Sequence, residues 1–170
     1  MDEDKVAASK YASSPVRLNG KTGARDNPSL PAGEFVCSVR SNDWVNEEYK
    51  LMVLDAPAKA LTVRAGQFFQ LLCPSPDGAE VWTRRPMSIY IVDAPNRQLQ
   101  FLYKVLGRGT AGLATLKAGD DFNIAGPFGN GFTLDPAWKN IVVIGRGVGL
   151  ATMAPISQLA SDAGVGVTAI

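Results

Sequence analysis

The stretch NIVVIGRGVGLATMAPISQLASDAGVGVTAI, residues 140–170, decides the fold. Asn140 opens the apolar run Ile141 to Ile144, the string Gly145-Arg146-Gly147-Val148-Gly149 breaks it, Leu150 to Ala160 has helical spacing, and Val165 to Ile170 is a second apolar run. Strands buried on both faces of a parallel sheet read in this uninterrupted way, so the order strand, glycine turn, helix, strand predicts a βαβ unit. One such unit cannot enclose its own core. Residues 133–170 are therefore expected to begin a Rossmann-like domain that is incomplete within this chain.

Upstream, the pattern is different. From Gly33 to about Pro127 short β-type runs follow one another: Phe35 to Val39, Tyr49 to Leu54, Gln67 to Cys73, Pro86 to Val92, Gln98 to Val105 and Asp121 to Ala125. Asp55-Ala56-Pro57, Pro74-Ser75-Pro76-Asp77-Gly78, Asp93-Ala94-Pro95-Asn96 and Lys117-Ala118-Gly119-Asp120 supply the turns between them. Six runs of this kind predict a small antiparallel barrel over residues 34–132, which also removes exposed strand edges. Only Ala111 to Leu116 reads as helical before residue 150. Residues 1–33 carry scattered charges, serines, glycines and prolines without periodicity, and predict an extended arm.

Seventeen glycines and eleven prolines in 170 residues fit a turn-rich, β-rich fold. The net charge of +1 gives no basic surface for nucleic acid or acidic lipid. Apolar runs fall far short of the roughly 18–20 residues of a membrane span, and Met1-Asp2-Glu3-Asp4 is acidic where a secretory signal would be basic. A cytoplasmic protein is the expectation. Cys37 and Cys73 stand alone in a chain without histidine, so no metal site is expected and both read as reduced core thiols.

Four segments carry possible chemistry. In Arg84-Arg85-Pro86-Met87-Ser88-Ile89 two arginines enter a β-run. Arginine has the fork for bidentate phosphate contacts and Ser88 offers a hydroxyl to a ring nitrogen, although paired arginines are commonly just a solvated face. Gly107-Arg108-Gly109-Thr110 runs from the strand Phe101 to Val105 into the short helix. Glycines there expose backbone N–H groups to an anion, and an ordinary turn capped by Thr110 would look the same. Gly126-Pro127-Phe128-Gly129-Asn130-Gly131-Phe132 reads as a rigid, crowded turn that lets backbone approach a planar ligand, or as a linker. Gly145 to Gly149 sits where a pyrophosphate can rest on a helix N-terminus, with a flexible turn as the alternative.

In this order and at these spacings the four segments resemble the ferredoxin reductase-type FAD/NAD(P)-binding oxidoreductases, and most closely their dihydroorotate dehydrogenase B electron-transfer subunits. The resemblance covers about Gly33 to Ile170. It implies a six-stranded antiparallel Greek-key flavin-binding barrel followed by the start of the NAD(P)-binding domain. By this resemblance Arg85-Pro86-Met87-Ser88 holds the FAD pyrophosphate and approaches the flavin N5, with Ser88 as the catalytic residue. Met87 replaces the tyrosine common in the wider superfamily, as the subgroup's aliphatic residue does. Leu102-Tyr103-Lys104 would line the FAD site and Gly109-Thr110 would bind its phosphates. Gly145, Gly147 and Gly149 match the nicotinamide pyrophosphate loop, with Arg146 where glycine is usual. A [2Fe-2S] centre belongs, in such subunits, to a C-terminal cysteine cluster beyond Ile170, and the residue selecting NAD over NADP lies beyond it too.

The implied activity is hydride transfer from NAD(P)H to FAD and electron release to an iron-sulfur or other partner, in a hetero-oligomer with a catalytic subunit or acceptor protein. Two alternatives share the barrel: a non-catalytic docking subunit, and a flavin or oxygenase reductase with another acceptor.

Overall fold

The computed structural model describes residues 32–77 and 83–170. The expected arm lies outside the described residues, apart from Ala32 and Gly33. Seven strands, β1 (Gly33–Trp44), β2 (Tyr49–Asp55), β3 (Phe68–Leu72), β4 (Arg84–Ser88), β5 (Ile91–Asp93), β6 (Gln98–Lys104) and β7 (Asp121–Phe128), form one antiparallel sheet in the order β4-β3-β7-β1-β2-β6-β5. Between β6 and β7 lies α1 (Arg108–Leu113), and β8 (Asn140–Val143), α2 (Gly149–Asp162) and β9 (Gly166–Ala169) follow.

The sheet curls because its two ends are consecutive in the chain. β4 pairs with β3 and β5 with β6, while at the bend between them Ile89 N–H donates to Gln67 O and Tyr90 N–H to Gln100 O. The run expected as one strand, Pro86 to Val92, is thus two short strands, and seven strands stand where six were expected. β1 pairs with its hairpin neighbour β2 and with the distant β7, as a Greek-key order requires.

Period-two alternation builds the interior. Lys50, Met52 and Leu54 of β2 face inward opposite Tyr103, Phe101 and Leu99 of β6, and Phe69 and Leu71 of β3 join Phe122 and Ile124 of β7. Phe69 and Phe101 meet edge-to-face with centroids 5.9 Å apart. Each fully buried large apolar side chain contributes about 1.5–3 kcal/mol. Both cysteines are buried and free.

β8 and β9 are parallel, in register from Asn140↔Gly166 to Val143↔Ala169, and α2 packs on both of them and on β6. The βαβ unit therefore leans on the barrel flank. No helix among the described residues is long and apolar enough to cross a membrane.

Candidate diphosphate cradle

The two adjacent arginines of β4 have different surroundings. Arg84 donates to Glu34 Oε1 at 2.5 Å and to Gln70 O at 3.2 Å, so its charge is matched within the sheet. Among the described residues the Arg85 guanidinium donates to Thr83 Oγ1 and Arg84 O and has no carboxylate partner. Its stem lies on α1. A Cβ built on Gly109 would stand 3.1 Å from Arg85 Nε and 3.2 Å from Cγ, so the absence of a side chain there is what lets the arginine approach.

Thr110 works inside the turn. Its Oγ1 accepts from Leu106 N–H at 2.9 Å and Gly107 N–H at 3.1 Å, and donates to Gly107 O at 3.0 Å. The turn that results leaves the N–H groups of Arg108, Gly109 and Thr110 at the start of the helix, where no intrahelical acceptor exists. Arg108 forms an ion pair with Asp77 at 2.7 Å. Arg85 thus stands beside helix-start N–H donors, a combination whose chemistry can receive an anion.

The other expected residues fall in several places. Pro86 is exposed, and Met87 and Ser88 are half-buried along β4 toward the bend. Leu102 and Lys104 are on the outward face of β6, whereas Tyr103 points into the barrel and its hydroxyl donates to Asn42 Oδ1 at 2.8 Å. Burial pushes the Tyr103 hydroxyl up to about 12. Burial likewise raises the Cys73 thiol, an effect that the nearby Arg85 charge opposes.

Lys104 stands by Tyr49, whose hydroxyl borders the second glycine turn. Its Nζ donates to Glu48 Oε1 at 2.6 Å and stands 5.8 Å from the centre of the Tyr49 ring. A Cβ on Gly147 would lie 2.9 Å from the Tyr49 hydroxyl, and Gly147 has φ +57°, a conformation that favours glycine. Gly149 and Leu150 N–H groups are bonded back to Arg146 and Gly147 carbonyls, which closes the turn tightly before α2. The segment Gly126 to Phe132 is fixed by Gln67, whose amide accepts from Arg64 N–H and donates to Gly129 O at 2.9 Å. A hollow of about 450 Å³ near Phe132, Trp138 and Met153 is apolar and lined by no charged residue, so it does not suit a diphosphate.

Asn42, Lys50 and Gly112 were not singled out from the sequence. Lys50 had a signal: it takes a core-facing place in the alternation of β2. Asn42 and Gly112 gave none, because their partners are remote in sequence.

This curled antiparallel barrel joined to the opening of a βαβ domain is the fold of ferredoxin reductase-type FAD/NAD-binding proteins. It superposes on an NADH-dependent reduced ferredoxin-NADP oxidoreductase with a TM-score of 0.68 and 25% identity, over 78% of this chain and 46% of that one. The ferredoxin reductase of carbazole 1,9a-dioxygenase shares the fold at a TM-score of 0.69 and 21% identity, over 84% of this chain and 44% of that one.

In sequence the chain is similar to the electron transfer subunit of dihydroorotate dehydrogenase B (NAD(+)). It is 36% identical to that of Enterococcus faecalis over 136 residues, 79% of this chain and 50% of the relative. It is 36% identical to that of Streptococcus pneumoniae over 110 residues, 64% of this chain and 42% of the relative. The chain thus spans about half the length of the curated relatives it matches. No family profile matches it. The resemblance drawn from the four sequence segments is borne out at the level of relatives and fold.

Proposed function

We propose that this chain is the FAD-binding part of an electron-transfer flavoprotein in which a hydride passes from NAD(P)H to FAD and electrons leave to an iron-sulfur or other partner. One observation carries the reading: Arg85, without a carboxylate partner among the described residues, packs on a glycine in the first turn of α1, where backbone N–H groups have no intrahelical acceptor. A cation poised against such N–H groups fits a diphosphate better than it fits a structural ion pair. The curated relatives named as electron transfer subunits support it.

In this reading Arg85 and the N–H groups of Gly109 and Thr110 neutralise and orient the diphosphate. Pro86 and Met87 carry β4 on from that cradle, and Ser88 would offer its hydroxyl to the flavin. Leu102 and Lys104 shape the outward face of β6, and Tyr103 supports it from within. FAD, when bound, would supply the redox chemistry that links a two-electron donor to one-electron acceptors. Gly145, Gly147 and Gly149 form the turn for the nicotinamide cofactor's diphosphate, to be completed by the remainder of a nucleotide-binding domain. The partner is a catalytic subunit or an acceptor protein, in a hetero-oligomer.

The purified chain should carry, or take up stoichiometrically, a flavin with its visible absorption band. Arg85→Ala should lose it on gel filtration. A colourless chain that binds no added FAD would leave the docking-subunit alternative standing.

A further inference from the structure

α1 ends almost as soon as it begins, in a tight turn in which Thr115 N–H donates to Gly112 O and Leu116 N–H to Leu113 O. Side chains from the barrel hold the carbonyl oxygens of that turn. Asn42 Nδ2 donates to Leu113 O at 2.8 Å and Leu116 O at 3.1 Å, and Lys50 Nζ donates to Ala114 O at 3.0 Å. Tyr103 donates its hydroxyl to Asn42 Oδ1 at 2.8 Å, which fixes the amide so that its NH₂ faces the carbonyls. Lys50 is 6% exposed and stands 5.1 Å from the centre of the Trp44 ring. Gly112 fits so closely that a Cβ there would collide with Pro74 O.

These contacts lie at the end of α1 away from Arg85, roughly 9 Å along a six-residue helix. An element so short has few backbone bonds of its own, and its orientation is set by what holds its far end. We infer that Asn42, aligned by Tyr103 and aided by Lys50, is a positioning residue that holds the Gly107–Thr110 turn against Arg85 for diphosphate binding. The inference rests on the FAD reading above and deepens it. It also accounts for Tyr103, which the family resemblance implied as lining the FAD site and whose side chain lies inside the barrel.

A merely structural cap would weaken every ligand alike, whereas a positioning role touches only the phosphate end. The test is fluorescence titration of the flavin-free chain with FAD and with riboflavin, which lacks phosphate. Asn42→Ala should raise the FAD Kd about tenfold and Tyr103→Phe about three- to fivefold, with the riboflavin Kd unchanged within about twofold. Tyr103→Phe keeps the buried ring, so it serves if Asn42→Ala does not fold. Equal weakening of both flavins, or no weakening of either, overturns the inference provided that Arg85→Ala selectively weakens FAD. If Arg85→Ala leaves the FAD Kd unchanged, the FAD reading itself falls and the positioning role with it.

Discussion

Replacing Gly109 by alanine should separate folding from binding. The new methyl group would stand 3.1 Å from Arg85 Nε and 3.2 Å from its Cγ, against the relaxed carbon contact of about 3.5–4.0 Å. The arginine must retreat by a few tenths of an ångström. Strain of this kind costs on the order of 1 kcal/mol, while exchanging glycine for alanine within α1 gains up to about 1 kcal/mol of helix propensity. Stability should therefore change by less than about 1 kcal/mol in either direction. Binding has no such compensation, because a guanidinium shifted off one charge-assisted hydrogen bond forfeits about 1.5–3 kcal/mol, or roughly ten- to hundredfold in FAD Kd. Thermal denaturation of the flavin-free protein and a fluorescence titration with FAD, on the same preparation, measure both quantities. An unchanged FAD Kd with an unchanged Tm would refute the cradle.

Other outcomes follow from the same contacts. Arg84→Ala, which breaks the pair with Glu34, should cost less than about 1 kcal/mol in denaturant unfolding and leave the FAD Kd as it was. Gly112→Ala should destabilise the chain by about 1–3 kcal/mol or more, since the obstructing atom is the backbone oxygen of Pro74; a wild-type Tm would contradict that packing. Burial pushes the Cys37 thiol up to about 11 and raises that of Cys73. Alkylation near pH 8 should therefore label both only in denaturant, and rapid labelling of the native protein would show that they are not buried. Tyr103 has its folded pKa raised from 10.0 to about 12. Its contribution to stability is complete below about pH 10 and is lost as pH rises toward 12, roughly 2–3 kcal/mol in all. Tyr103→Phe should flatten that part of the alkaline unfolding profile.

Strand positions were legible because inward and outward residues alternate in β2, β6 and β7. The βαβ unit was legible because two mostly apolar runs, Ile141 to Val143 in β8 and Val167 to Ala169 in β9, flank a glycine turn and a helical stretch. The break within Pro86 to Val92 was not, since the bend at Ile89 and Tyr90 is set by a change of pairing partner from β3 to β6, which only the closed sheet creates. At the site, the sequence marked Arg85 and Gly109 but could not say that Arg84 would be matched by Glu34, fifty residues earlier. The family resemblance marked Tyr103 together with Leu102 and Lys104, where alternation alone would have turned it inward with Leu99 and Phe101. Asn42 stayed hidden because it acts on a carbonyl 71 residues away, whereas the inward place of Lys50 in β2 was readable and only its partner, 64 residues away, was not.

The most direct measurement is a crystal structure of this chain with FAD. The account predicts both phosphates of the cofactor between Arg85 and the Gly107–Thr110 turn, with guanidinium-to-oxygen distances of about 2.7–2.9 Å. A diphosphate bound elsewhere, with Arg85 turned to solvent, would contradict it.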